Sequence, residues 1–110
     1  MPNPVKPDAA AKTAKLLASL WTRNLPIIEE RLALLDQAAH LAGSGTLTTP
    51  LRREAAATAH KLAGSLGMFG YAKGTEIARS LELLFDDLTD PAPSQLSDLA
   101  LDLRRSLRLE

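Results

Sequence analysis

The sequence predicts an all-α protein, an antiparallel up-down four-helix bundle with a leading N-terminal helix. Apolar residues recur with a 3.6-residue period along almost the whole chain, and alanine and leucine, both strong helix formers, dominate it. No segment shows the strict alternation or the β-branched enrichment of a strand. The loops between the amphipathic helices are short, so consecutive helices should pack antiparallel around one core.

The first two helices are predicted from their capping residues. Residues 1–7 contain three prolines and should be irregular, and Asp8 is a suitable N-cap for a leading helix that runs to about Trp21. Asn24 can cap a second helix, whose first turn tolerates Pro26 because the backbone N–H groups there have no helical acceptor. The alternative is one bent helix, since the break depends mainly on Asn24 and Pro26.

The third helix has a clear beginning and end. The glycine-containing segment 43–45 ends the second helix, and Thr49 followed by Pro50 is typical of an N-cap and a first helical residue. The helix should then run to about Phe69, where Gly70 can adopt the left-handed conformation that ends many helices.

The fourth and last helices are separated by a proline-rich segment. The fourth should begin near Lys73 or Gly74 and stop at the Asp-Pro-Ala-Pro segment 90–93, after which Ser94 can cap the last helix. From the second helix to the last, the apolar stripes that should form the core are Leu25, Ile28, Leu32, Leu35 and Ala39; Leu51, Ala55, Ala59, Leu62 and Leu66; Ile77, Ala78, Leu81, Leu84, Phe85 and Leu88; and Leu96, Leu99, Ala100, Leu103 and Leu107.

The composition limits the possible functions. The 110 residues fit a single domain, 1–110, whose final dipeptide, Leu109-Glu110, is common as a cloning remnant. The 13 basic and 13 acidic residues balance, so the basic excess typical of proteins that bind nucleic acid or anionic membranes is absent. The lack of cysteine excludes disulfides, thiolate metal sites and cysteine nucleophiles. No apolar run approaches the roughly 20 residues of a membrane span and no signal peptide is visible, so a cytoplasmic protein is expected.

The third helix has an unusual solvent face. On a helical wheel of about 100° per residue, His60 lies opposite the core stripe. The residues expected on its side are Arg53, Ala56, Ala57, Ala63, Gly64 and Gly67. A solvent-facing helix surface usually carries Lys, Glu and Gln, and a glycine inside a helix costs about 1 kcal/mol relative to alanine. The two glycines therefore weaken the helix and clear space around the imidazole.

This cleared space favours a reaction in which another macromolecule brings a reactive group to His60. An exposed imidazole is largely neutral at neutral pH and hence nucleophilic, and in-line attack on phosphorus requires an unobstructed approach. A phosphoryl group adds close to two negative charges, which Arg53, Lys61 and, more weakly, Lys73 could stabilise. The alternative is an ordinary surface histidine beside glycines that allow close helix packing.

The segment from residue 59 to residue 70, AHKLAGSLGMFG, resembles the signature of the histidine phosphotransfer (HPt) family. In that signature a phosphorylated histidine is followed by leucine, a basic residue, glycine and a small residue, and a further glycine ends the helix. The matching positions are His60 for the histidine, Leu62 for the leucine, Gly64 for the glycine that exposes the ring, Ser65 for the small residue, Gly70 for the terminal glycine, and Leu81-Glu82 for a leucine-glutamate pair that recurs in the next helix of the family.

One position departs from the family pattern. The family often has lysine three residues after the histidine, where this chain has Ala63 and carries its lysine at position 61 instead. The basic role could therefore belong to Lys61, Arg53 or Lys73.

The resemblance implies a phosphorelay intermediate that accepts a phosphoryl group on His60 from the phosphoaspartate of a response-regulator receiver domain and passes it to another receiver. It implies a monomeric, stoichiometric carrier rather than an enzyme. Receiver domains or a hybrid histidine kinase would be its partners, with no nucleic acid or membrane involved. No cofactor or metal is expected on this chain, because the receiver would hold the Mg²⁺. The residues expected to dock the receiver and support the phosphate are Arg53, Ala56, Ala57, Lys61, Gly64, Gly67 and Lys73.

Two other functions stay open. A degenerate HPt-like docking module would bind receivers without accepting phosphate. The dimerisation and phosphoacceptor part of a sensor kinase would form a helical-hairpin dimer, whereas this chain has enough helices to close a bundle as a monomer. His40 is expected to be a bystander at a helix C-terminus, and neither histidine has the glutamate three residues earlier that a di-metal bundle requires. Trp21 is expected to anchor the core, and the alternative is that it forms part of a receiver-binding edge.

Overall fold

The fold is a four-helix bundle. A computed structural model of the chain describes residues 5–86 and 93–109. Its helices are α1 (Val5–Gly43), α2 (Thr49–Met68), α3 (Ala72–Asp86) and α4 (Pro93–Leu107). α2 packs against α1 and α3, and α4 packs against the same two helices, so the bundle closes with α1 and α3 on opposite sides. The described residues contain no strand, and the all-α bundle prediction is confirmed.

The beginning of α1 differs from the prediction. Asp8 is not an N-cap and residues 5–7 are not irregular, because α1 already begins at Val5. Pro7 is the third residue of the helix, where a backbone N–H would have no helical acceptor, so a proline there removes no hydrogen bond. The part of the prediction that concerns residues 1–4 lies outside the described residues.

α1 also continues through the expected break, so the leading and second helices are one. Asn24 does not cap a new helix, because its side-chain Nδ2 donates to the Leu20 carbonyl oxygen one turn earlier, at 2.8 Å. Pro26 removes one backbone hydrogen bond, but packing on both sides of it holds the helix: Trp21 lies half-buried before it and Ile28 is fully buried after it. The single-helix alternative is therefore correct.

The bounds of α2 agree with the prediction within one residue. The N-cap is Thr48 rather than Thr49: its backbone is extended, and its hydroxyl accepts the Leu51 N–H at 3.3 Å. The helix ends at Met68, and Gly70 has the predicted left-handed backbone, with φ of +82°.

The last two helices also begin slightly earlier than predicted. α3 begins at Ala72, and α4 begins at Pro93, so that Ser94 lies inside its first turn rather than before it. The predicted stop at residues 90–92 and the predicted core residue Leu88 lie outside the described residues.

The predicted apolar stripes form the core. Most of their members are buried, and those at the rim of the bundle, Leu25, Leu51, Leu84 and Leu99, are partly exposed. Gly74 lets α3 approach its neighbours closely, because a Cβ there would lie 3.2 Å from a Leu107 methyl and 3.3 Å from a Leu66 methyl. At one end of the bundle, Trp21 packs edge-on against Phe69, with ring centroids 5.3 Å apart, and tilted against Tyr71 at 4.7 Å. Trp21 is therefore an anchor at the rim of the core, as predicted.

Two arginines tie helices together. Arg104 on α4 donates from Nε to Asp36 of α1 at 2.8 Å, and its hydrogen bond to Asp36 raises the pKa of the guanidinium. Arg52 on α2 donates to the Phe85 carbonyl oxygen in the last turn of α3, at 3.2 Å, where a cation is favoured by the helix dipole. These bonds fix α4 against α1 and the end of α3 against the start of α2. None of the described helices is long and apolar enough to span a membrane.

Candidate functional site

His60 lies on the middle of α2, on its solvent side. Ala59 and Leu62, on the opposite side of the helix, are fully buried, and the His60 side chain is 74% exposed. The exposed position expected from the helical wheel is therefore the one observed.

Glu82 of α3 holds the ring of His60. The imidazole Nδ1 lies 2.9 Å from Glu82 Oε2 and 3.2 Å from Oε1. A carboxylate only accepts hydrogen bonds, so Nδ1 carries the proton in this contact, and in the neutral ring Nε2 then keeps its lone pair. Within the described residues Nε2 has no hydrogen-bond partner. The contact therefore leaves the nucleophilic nitrogen exposed.

Small residues on α2 bring Glu82 within reach. Ala56 and Ala63 were expected on the solvent side beside His60, and this expectation is wrong, because they are only 6% and 5% exposed. α3 covers that flank of α2, with Leu81 and Phe85 buried, and the short alanine side chains allow the two helices to pack closely. As a result, Glu82 projects from the rim of the α2–α3 interface towards the imidazole.

Two open grooves lie beside the ring. The Gly64 groove holds about 310 Å³ and is lined by His60, Ala63, Gly64, Arg79, Glu82 and Leu83. The Arg53 groove holds about 420 Å³; it shares His60 and Glu82 with the first and adds Arg53, Ala56, Ala57, Lys61 and Asp86. The His60–Glu82 pair therefore stands between them and is reachable from both.

The two glycines on the His60 side have different surroundings. A Cβ at Gly64 would meet no atom within 4 Å, so this glycine is not needed for helix packing, and the space beside the ring is open. A Cβ at Gly67 would lie 3.6 Å from the Thr75 hydroxyl oxygen, which is ordinary contact distance. The packing alternative thus has no support at Gly64.

The structure separates the candidate cations. Arg53 and Lys61 are exposed and line the Arg53 groove, whereas Lys73 lines neither groove. Lys73 is nine residues before Glu82 on α3, roughly 13 Å along the helix axis at 1.5 Å per residue. The exposed Ala57 lies with Arg53 and Lys61 as expected.

Sequence reasoning missed three residues of α3 that line the Gly64 groove. Glu82 was noticed only as half of a recurrent pair, and its contact with His60 depends on the register between two helices, which a single helix pattern does not contain. Arg79 lies one helical turn before Glu82, and this three-residue spacing was the available signal. Leu83 is 69% exposed, outside the apolar stripe of α3.

The second histidine has no comparable site. His40 lies exposed in the last turn of α1, as expected. It borders a groove with Asp36 and Arg104, but those two residues are bonded to each other. The described residues contain no group of three or more His, Cys, Asp or Glu that could hold a metal ion.

Comparisons with known proteins identify the family of this chain. The family model described as "Hpt domain" matches residues 19–109. Protein RcaC of Microchaete diplosiphon is 36% identical over 75 residues, which cover 68% of this chain and 12% of that protein. No solved structure matches. The family match spans α2, α3, α4 and most of the packed part of α1, including His60 and Glu82, and the chain therefore belongs to the Hpt domain family, the histidine phosphotransfer modules of two-component phosphorelays.

Proposed function

We propose that His60 accepts a phosphoryl group from the phosphoaspartate of a receiver domain and passes it to another receiver. One observation carries this proposal: Glu82 binds Nδ1 of the ring at 2.9 Å while the side chain remains 74% exposed, which leaves Nε2 available to a visiting phosphoryl group. The role as a phosphorelay module follows from the family; the residue and the direction of each step are our proposal.

The step needs no proton transfer. The Nε2 lone pair attacks phosphorus, the N–P bond forms, and the bond from phosphorus to the aspartate oxygen breaks, with its electron pair returning to the aspartate carboxylate. The ring keeps its Nδ1 proton and becomes a positively charged phosphoimidazolium. Transfer to a second receiver is the same step in reverse.

Glu82 stabilises the charge that this step creates. The ring changes from neutral to positive when Nε2 is phosphorylated, and the Glu82 carboxylate already lies against the Nδ1 proton. Glu82 also fixes the tautomer and the orientation of the ring before the partner arrives. This preorganisation is the contribution of the chain to the rate.

The partner supplies the remaining chemistry. The receiver, or a hybrid histidine kinase that contains one, would bring the aspartyl phosphate and its Mg²⁺, so the chain acts as a stoichiometric carrier without a cofactor of its own. The open grooves on both sides of the ring, one lined by Gly64 and the other by Ala57, give a second protein room to approach.

The test is transfer from a receiver domain phosphorylated with acetyl phosphate in the presence of Mg²⁺. We expect label on the wild-type chain that is labile in acid and stable in base, and none on His60→Gln, whose fold should persist because the side chain is exposed. His40→Gln is the matched control and should label as the wild type does.

Two outcomes would contradict the proposal. Wild-type protein that binds the receiver but takes no label would be the degenerate docking module. Label that persists in His60→Gln would place the phosphoryl group elsewhere. A solution mass measurement addresses the sensor-kinase alternative, and we expect a monomer because one chain closes the whole bundle.

A further inference from the structure

The phosphoryl group proposed on His60 would lie close to an existing negative charge. It brings close to two negative charges of its own, and the Glu82 carboxylate is already bonded to the opposite nitrogen of the same ring. Because Glu82 offsets the positive charge of the phosphorylated ring, the phosphoryl group itself is left without a counter-charge, and a cation beside it would stabilise the phosphorylated state. Several basic residues around the site are candidates.

The two candidates on α2 are poorly placed. Arg53 is seven residues before His60, roughly 10 Å along the helix axis, and Lys61 is rotated about 100° from His60 around the helix. Both line the Arg53 groove, where the carboxylates of Glu82 and Asp86 also lie. Neither lines the Gly64 groove, the side on which bare backbone leaves the space beside the ring open.

Arg79 on α3 is level with the open space beside the ring. Two contacts set the register of the antiparallel pair: Glu82 lies opposite His60, and Thr75 lies opposite Gly67. Arg79 is three residues before Glu82, so it lies opposite the position three residues after His60. That position borders Gly64, where an added methyl group would meet no atom within 4 Å.

The surroundings of Arg79 leave its guanidinium available. The residue is exposed, and within the part of the chain that the structure describes it has no hydrogen-bond or ion-pair partner. Apart from the imidazole itself, Arg79 is the one basic residue in the lining of the Gly64 groove, and Glu82 is the one acidic residue. A planar guanidinium can bind two phosphate oxygens at once, which an ammonium group does less well.

We infer that Arg79 binds the phosphoryl group on His60, reaching it through the space that Ala63 and Gly64 leave open. This inference rests on the proposed function, because it assumes that His60 is the phosphorylated residue. It assigns the phosphate-binding cation to α3, and neither Lys61 nor Arg53 on α2 performs that role.

The test measures the phosphoryl group itself, in the absence of a receiver. The chain is phosphorylated with potassium phosphoramidate, or with a phosphorylated receiver that is then removed, and the second pKa of the phosphoryl group is read from the phosphorus chemical shift. A cation about 5 Å away lowers such a pKa by about half a unit, so Arg79→Gln should raise it by that amount. Arg79→Lys should restore most of the difference, because the charge is kept.

A matched control removes the same charge elsewhere. Arg23→Gln changes an exposed arginine on α1 that lines neither groove and should leave the phosphoryl pKa where it is. At equilibrium with a phosphorylated receiver, the equilibrium constant for transfer to His60 should also fall about threefold in Arg79→Gln, because phosphorylation adds about one net negative charge to the ring near that cation.

The outcomes separate this inference from the proposed function. If a phosphorylated receiver does not label wild-type His60, the proposed function fails, whether or not phosphoramidate labels the ring. If His60 is labelled but Arg79→Gln leaves the phosphoryl pKa unchanged, only the inference about Arg79 fails. A slower receiver reaction with an unchanged pKa would likewise overturn it, because Arg79 would then contact the receiver instead of the phosphate.

Discussion

His40 and His60 are both exposed histidines on helices of the same bundle, and their surroundings differ in two respects. His60 has a carboxylate bonded to Nδ1 and bare backbone beside it at Gly64. His40 borders a groove whose carboxylate, Asp36, is bonded to Arg104. If His60 is the phosphoryl acceptor and His40 is not, as we propose, then exposure of the ring is insufficient, and two further features distinguish His60: a carboxylate bonded to its Nδ1 and an open approach at Gly64.

Removing the Glu82 carboxylate should have the largest effect on the rate of phosphotransfer. Glu82→Ala leaves His60 exposed but releases its ring, so that it resembles His40, and we expect transfer from a phosphorylated receiver to slow by about ten- to a hundredfold because orientation is lost. Glu82→Gln keeps an acceptor for the Nδ1 proton without the charge, so its transfer rate should lie between those of the wild type and Glu82→Ala. Single-turnover labelling measures both rates.

Glu76→Ala is the control for this change. Glu76 is an exposed glutamate on α3 that does not line either groove, so its removal should leave the transfer rate unchanged. Transfer by Glu82→Ala at the wild-type rate would mean that the Nδ1 contact has no function.

Filling the space beside His60 should have a smaller effect on the transfer rate, and it should change fold stability in the opposite direction. Gly64→Gln should stabilise the fold by up to about 1 kcal/mol, because glycine is a poor helix former, and yet slow transfer about tenfold by crowding the ring. Gly67→Gln should slow transfer less, because Thr75 lies against this position and restricts how far the new side chain can reach towards the ring. Denaturant unfolding and single-turnover labelling measure the two effects separately.

Gly64→Ala separates crowding from helix stability. The methyl group should give a similar or larger gain in stability but little obstruction, because it would meet no atom within 4 Å. Equal transfer rates for the alanine and glutamine variants would remove the steric argument.

Releasing Asp36, the carboxylate beside His40, from Arg104 should have the smallest effect on phosphotransfer. Arg104→Gln breaks the tie between α4 and α1 and should destabilise the fold by about 1 kcal/mol, since the pair is partly exposed. It leaves Asp36 unpaired one turn from His40, yet transfer should still occur on His60 alone. Label on His40 in this variant would mean that a neighbouring carboxylate is sufficient.

The contribution of Arg104 should not depend on pH in the usual range. Its hydrogen bond to Asp36 raises the pKa of a guanidinium that is already high. A raised pKa means that the stabilisation is present below the ordinary arginine pKa and is lost only as the pH rises through the folded value. The stability difference between wild type and Arg104→Gln should therefore be the same at pH 7 and pH 9 in urea unfolding.

Features that depend on one helix were predicted well. The 3.6-residue period of α2 places Leu62 in the core and His60 in solvent, and the left-handed residue at Gly70 follows from the chemistry of glycine. The break expected at Pro26 was wrong because the wheel pattern on either side of it is continuous, and packing of Trp21 and Ile28 outweighs one lost hydrogen bond.

Features that depend on two helices were not predicted. The helical wheel gives the direction in which Ala56 and Ala63 point from the axis of α2, but it does not show which side of α2 the neighbouring helix α3 covers. Both residues were therefore assigned to solvent, although they are buried. The pairing of His60 with Glu82 requires the axial register of α2 and α3, which the pattern of one helix does not contain. Arg79 was missed for the same reason.

The aromatic cluster at the end of the bundle supplies a built-in optical reporter. Trp21 is the only tryptophan in the sequence, and its indole rests on Phe69 and Tyr71, the residues that flank the turn between α2 and α3. Its emission therefore senses whether α1 is seated on that turn. Fluorescence can follow the melting of every variant described above without an added dye. The indole rests on Phe69, which is nine residues along the chain from His60, so the probe does not interfere with the chemistry.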